Sequence, residues 1–160
     1  MAGFKNKVTS LSKFLDLIGG YFLFALMLVV VFNVIMRTLF SKPFIGTVEI
    51  VEVFYAVAVG LTISYCAILD EHISIDFILE KFPQKFQNVV AFIVNILTII
   101  FLGISSLMIF KYGESVRQNG LVTPTMGIGY YPFVYIIALG VFVYFLVALI
   151  RTFELFGRKR

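Results

Sequence analysis

Five ionisable side chains stand where charge is costly or where the chain must reverse. Glu49 and Glu52 lie one helical turn apart at the start of a charge-free stretch, and Arg37 closes the stretch before it. An ionisable residue in or beside a membrane span is a functional hypothesis by default. Carboxylates in a first turn suit the positive end of a helix, and an arginine can snorkel to headgroups. The same three residues can instead make a polar contact to another subunit. A position near the membrane surface, away from its centre, argues against a proton relay. His72 and Asp76 follow the second stretch. A haem-binding four-helix subunit commonly uses two axial histidines, and His72 is the only one here, so it reads as a structural loop residue.

The remaining polar groups point away from catalysis. Cys66 is the sole cysteine, which leaves no intrachain disulfide and no cysteine-based metal site. There is no P-loop, no Ser-His-Asp set and no cluster of carboxylates inside a span. The expectation is therefore no enzyme, no cofactor and no metal. Asn33 and Asn95 fall inside apolar stretches, where interhelical hydrogen bonds average about 0.6 kcal/mol, so both read as packing glue. Ala56, Gly60 and Ser64 form a small-xxx-small stripe that permits close helix approach. Tyr130 and Tyr131 read as aromatic anchors at a membrane interface.

These residues need elements to position them, and composition identifies the elements. Of 160 residues, 61% are hydrophobic and 14% charged, with mean hydropathy +1.02. Soluble domains run at about 45–50% apolar and about 25% charged. Charge-free runs at 17–36, 53–69, 88–110 and 128–150 contain 20, 17, 23 and 23 residues. A helix needs roughly 20 residues to cross a bilayer core. The second run reaches that length if its helix starts at Val48, which brings in Glu49 and Glu52. A barrel would need many alternating strands, so the spans are helices. The first run exceeds the roughly 7–15 residues of a signal-peptide core and has no A-x-A site after it, so it reads as a retained anchor.

The expected fold is an all-α integral membrane protein forming one domain over 1–160. Its spans are about 17–36, 48–69, 88–110 and 128–150. Between spans 2 and 3, Ile75, Ile78, Leu79 and Phe82 recur at helical spacing, which predicts a short interfacial amphipathic helix at about 74–82. Pro83 then opens the next helix. The segment 111–127 reads as a polar surface loop. Lys and Arg number nine on the face that carries both termini and four on the other, which predicts cytoplasmic termini. The net charge of +4 sits in loops and tails, a pattern of membrane topology and not of nucleic-acid binding.

The run R-T-L-F-S-K-P-F-I-G-T-V-E, Arg37 to Glu49, leads into a span that is followed by H-I-S-I-D, His72 to Asp76. In order and spacing this resembles the small DctQ-type membrane subunit of tripartite ATP-independent periplasmic (TRAP) transporters. That family shows an Arg ending span 1, a Pro-Gly turn, a Glu opening span 2 and a His-to-Asp motif after it. One departure is Ala138, which stands where the family often has Pro before the Gly at 140. The resemblance covers nearly the whole chain and implies a bacterial inner-membrane importer of three parts. A periplasmic substrate-binding protein captures a carboxylate or sialic acid, and a large membrane subunit carries it across with sodium. The small subunit braces the large one within the lipid bilayer. Contact candidates under that reading are Arg37, Glu49, Glu52, Gly60, His72 and Asp76. The rivals are a self-sufficient four-helix transporter acting as a homodimer and a structural subunit of another membrane complex. Homodimeric exporters of that size carry an acidic residue deep in span 1, and here span 1 has none.

Overall fold

The computed structural model describes residues 2–68 and 84–157. Four helices carry nearly all of it: α1 (Ala2–Phe40), α2 (Thr47–Ile68), α3 (Gln84–Gln118) and α4 (Tyr131–Gly157). All four are long and apolar enough to cross a membrane. Among the described residues the only extended pairing is an isolated bridge between Val122 and Gly129. The chain is all-α with four helices of transmembrane character. The interfacial helix expected at 74–82 lies outside the described residues, as do His72 and Asp76.

The helix ends follow local chemistry. α1 stops where Ser41 takes a left-handed φ of 52° and Pro43 follows, a residue that disfavours helix before it. Gly46, at φ 89°, supplies the carbonyl that accepts the Ile50 N–H and so starts α2. Thr47 secures that start, its hydroxyl donating to the Phe44 carbonyl at 2.7 Å. α3 closes on a Schellman motif. Gly120 sits at φ 61°, the Leu121 N–H donates to the Val116 carbonyl, and the Gly120 N–H donates to that of Arg117.

Three helices, α1, α3 and α4, run well past their charge-free runs, α4 at its far end to Gly157. α1 begins at Ala2 instead of 17, because Val8, Ser12 and Leu15 form a buried stripe at helical spacing. α3 continues to Gln118 instead of ending near 110. Residues 111–118, expected as loop, are helical: Val116 is buried, and Glu114 is bonded to Arg117 and Gln118 along the same helix. α4 begins at Tyr131, three residues after the apolar run opens at 128.

The helices pack as a row and not as a closed bundle. α1 lies on α2, α2 on α4, and α4 on α3, while α1 makes a small contact with α4. The central helices bury more of their apolar windows (39% for α2, 28% for α4) than the outer ones (6% for α1, 11% for α3). One core cluster joins Leu15, Val57, Leu61 and Val143; a second joins Val8, Ala67 and Val147. At mid-depth α2 and α4 meet backbone to backbone, since a Cβ on Gly140 would overlap the Gly60 carbonyl. Ser12 and Ser64, both fully buried, share a hydrogen bond of 2.8 Å between α1 and α2.

Candidate contact site at the α1–α2 turn

The turn 41–46 runs back along the end of α1 and is held there. The Phe44 N–H donates to Asn33 Oδ1 at 2.9 Å, and the Phe44 ring meets Phe32 edge to face at 6.4 Å between centroids. Asn33, expected as interhelical glue, instead satisfies a backbone donor of the turn. A backbone donor needs a partner wherever water is scarce, and a side-chain amide oxygen two helix turns inside α1 provides it. Asn95 lies along α3, half-buried.

Glu49 and Glu52 share a helix but not a role. Both Glu49 carboxylate oxygens accept backbone N–H groups from the distant loop between α3 and α4: Thr125 at 2.7 Å and Met126 at 3.1 Å. Charge-assisted bonds to two successive amides make a two-point clasp. The Met126 side chain lies over Gly46, where no Cβ intervenes. Within the loop, Thr123 is buried, its N–H donating to the Ile128 carbonyl at 2.8 Å and its hydroxyl accepting the Ile128 N–H at 3.0 Å. The loop is therefore a folded ribbon fastened to the first turn of α2. Glu52, one turn on, is exposed and has no hydrogen bond or ion pair among the described residues.

Arg37 is likewise exposed and unpaired among the described residues. No salt bridge joins it to Glu49 or Glu52 among the described residues. α1 carries Arg37 one turn beyond Asn33, past the point where the turn is pinned, while Glu49 is committed to the loop amides. An open cavity of about 520 Å³ lies in this corner, lined by Asn33, Phe44, Glu49, Glu52, Thr125 and Tyr130 among others. Gly60 sits elsewhere, buried at mid-depth under Ile137 and Gly140.

A second polar group lies at the end of α3. Glu114 accepts from Arg117 Nη2 at 2.7 Å, Arg117 Nε at 3.1 Å, Gln118 Nε2 at 3.0 Å and the Tyr135 hydroxyl at 2.8 Å. It ties α3 to α4. The Glu-x-x-Arg-Gln spacing carries the i,i+3 and i,i+4 part of this network in the sequence, once 111–118 is read as helix. The Tyr135 contact has no sequence signal.

Among the described residues, no group of three or more His, Cys, Asp or Glu is placed to hold a metal. The site offers surface charge and backbone clasps, which suit contact and assembly. A comparison with curated proteins finds no match. The family described as "Tripartite ATP-independent periplasmic transporters, DctQ component" matches residues 26–158. With four apolar helices, the Arg37–Glu49 turn and most of its length inside that match, the chain belongs to the DctQ component family of TRAP transporters.

Proposed function

We propose that this DctQ-family chain is the small, non-catalytic membrane subunit of a sodium-coupled importer of organic anions of the carboxylate or sialic-acid class. It braces the large transport subunit in the bacterial inner membrane, with both termini cytoplasmic. The corner formed by the α1–α2 turn and the 119–130 loop faces the periplasm, where it docks the substrate-binding protein. The observation that supports this most is the open row. α1 and α3 leave most of their apolar length uncovered within the chain, which suits helices that meet a larger membrane protein. Ion-coupled sites are built near mid-membrane from broken helices and ionisable groups. All four helices here are continuous, and their mid-depth contact is glycine against glycine. Arg37 and Glu52 remain as the contact charges, while Glu49 and Gly60 serve the chain's own assembly.

Co-expression with the large subunit tests this reading. The two chains should co-purify from detergent. Vesicles holding both, with the binding protein added, should take up an organic acid on a sodium gradient. Transport by this chain reconstituted alone would favour the homodimeric rival.

A further inference from the structure

Helix register fixes the relative heights of the four apolar runs, and they do not align. Ser12 meets Ser64 and Phe22 meets Phe54, so α1 and α2 pair antiparallel. Gly60 meets Gly140 and Ala67 clusters with Val147, so α2 and α4 run side by side in the same direction. Gly113 faces Val134 and Tyr135, and Gly103 faces Phe145, which sets α3 against α4. On this scale the centre of the α1 run (17–36) is level with the first turn of α2. The centre of the α3 run (88–110) is level with the last turn of α2. The offset is about 18 residues, or about 27 Å at 1.5 Å per residue.

The flanking charges repeat the pattern. Asp16 and, a turn before it, Lys13 flank the α1 run on one side of the membrane, and Lys111 bounds the α3 run on the opposite side. Along the helix axes the two lysines are within about 10 Å of each other, because Lys13 is level with Ile63 and Lys111 with the turn before Gly60. A hydrocarbon core is about 30 Å thick. No upright placement of the row puts both ammonium groups in water.

We propose that the protein meets the bilayer obliquely, with the lipid-facing band crossing the row as a diagonal from α1 to α3. Three helix-to-helix steps of about 8–10 Å each set the width of the row. A 27 Å offset over that width inclines the helices by roughly 40–45°, well beyond the average of about 20°. The length of α1 accords with this. At 39 residues α1 is about 58 Å long, and at that slope it spans about 40–45 Å, the full bilayer with its headgroups. The partner that defines this surface is the lipid bilayer. Residues 6–16 of α1 and 111–118 of α3 stand in water on opposite sides, although they flank membrane-embedded turns of α2 and α4.

The inference rests on the membrane reading of the four helices and not on the identity of any transport partner. Its test therefore fails or succeeds separately from the proposed function. In a Cys66→Ala background, nitroxide labels are placed singly at exposed positions of the full-length chain in phosphatidylcholine–phosphatidylglycerol vesicles. The positions are Leu17, Phe24, Leu28 and Ile35 on α1, and Ile93, Leu97, Phe101 and Met108 on α3. Immersion depth, read from oxygen against nickel-chelate relaxation, should peak at Phe24–Leu28 and at Leu97–Phe101. As a second readout, Lys13→Cys and Lys111→Cys should both react with a water-soluble maleimide, from opposite faces of the vesicle. Depth maxima at Leu17 and Met108, the positions level with the Gly60–Gly140 contact, overturn the proposal. So does a thiol at 13 or 111 that is shielded from the maleimide.

Discussion

Glu49 and Glu52 are the same residue type three positions apart, yet one is fully engaged and the other free. Their difference comes from the loop that reaches back across more than seventy residues, so no local pattern distinguishes them. Glu49→Gln keeps one acceptor oxygen and loses the charge, so it should loosen the clasp without unfolding the helices. Amide hydrogen exchange at Thr125 and Met126 should rise, while Glu52→Gln should leave those two amides unchanged. Equal protection in both variants would show that the ribbon holds itself through Thr123 alone. The buried Ser12–Ser64 pair is a second residue-scale case. Ser12 donates to Ser64, which in turn donates to the Leu61 carbonyl at 3.4 Å. Ser12→Ala therefore removes the interhelical bond but leaves Ser64 partnered, and should cost on the order of 1 kcal/mol, in line with interhelical bonds in membranes. A double-mutant cycle with Ser64→Ala should return a coupling of similar size. Neither serine was legible as a pair: Ser12 lies before the charge-free run, and Ser64 read only as part of a small-residue stripe.

At the scale of elements, apolar run length made the start of α2 legible to within a residue, Thr47 against 48. The long helices α1 and α3 were legible only in part. Charge density falls to zero at the edge of hydrocarbon, but a helix continues into water wherever one face is buried. Val8 and Val116 show this at the extensions of α1 and α3. The stripe of Ala56, Gly60 and Ser64 was readable as a close-approach surface, but its three members do different things. Ala56 is exposed, Gly60 meets Gly140, and Ser64 bonds to Ser12. Only the helix-pairing register separates them. The Gly60–Gly140 contact joins the α1–α2 pair to the α4–α3 pair, so Gly140→Ala must push the two backbones apart. Overpacking of this kind costs about 1–3 kcal/mol, read as a lower unfolding midpoint in detergent. Gly20→Ala is the control, because a Cβ there meets nothing within 4 Å. Removing a helical glycine should leave stability unchanged or raise it by up to about 1 kcal/mol.

For the whole molecule, a row with two well-buried and two nearly bare helices leaves its outer faces to other membrane components. Lipid can cover apolar surface, but it gives no specific answer to a pair of fixed charges beside a cavity. Arg37 and Glu52 are exposed at one end of the row, with no ion pair of their own among the described residues. Under the proposed function a partner subunit supplies the opposite charges, and covering them raises the cost of leaving one unmatched. Arg37→Ala and Glu52→Ala should therefore each reduce the amount of large subunit that co-purifies, and lower sodium-driven uptake in proportion. Glu49→Gln should act through the loop instead, with uptake falling more than recovery of the complex if the binding protein docks there. Charge reversal adds a sharper test. Glu52→Lys should be worse than Glu52→Ala at a site facing a basic partner, and no different at a site facing water. Uptake lost from an intact complex in the Arg37 or Glu52 variants would assign those residues to transport itself. Full recovery and full uptake in both would mean that the partner docks elsewhere along the bare faces of α1 and α3.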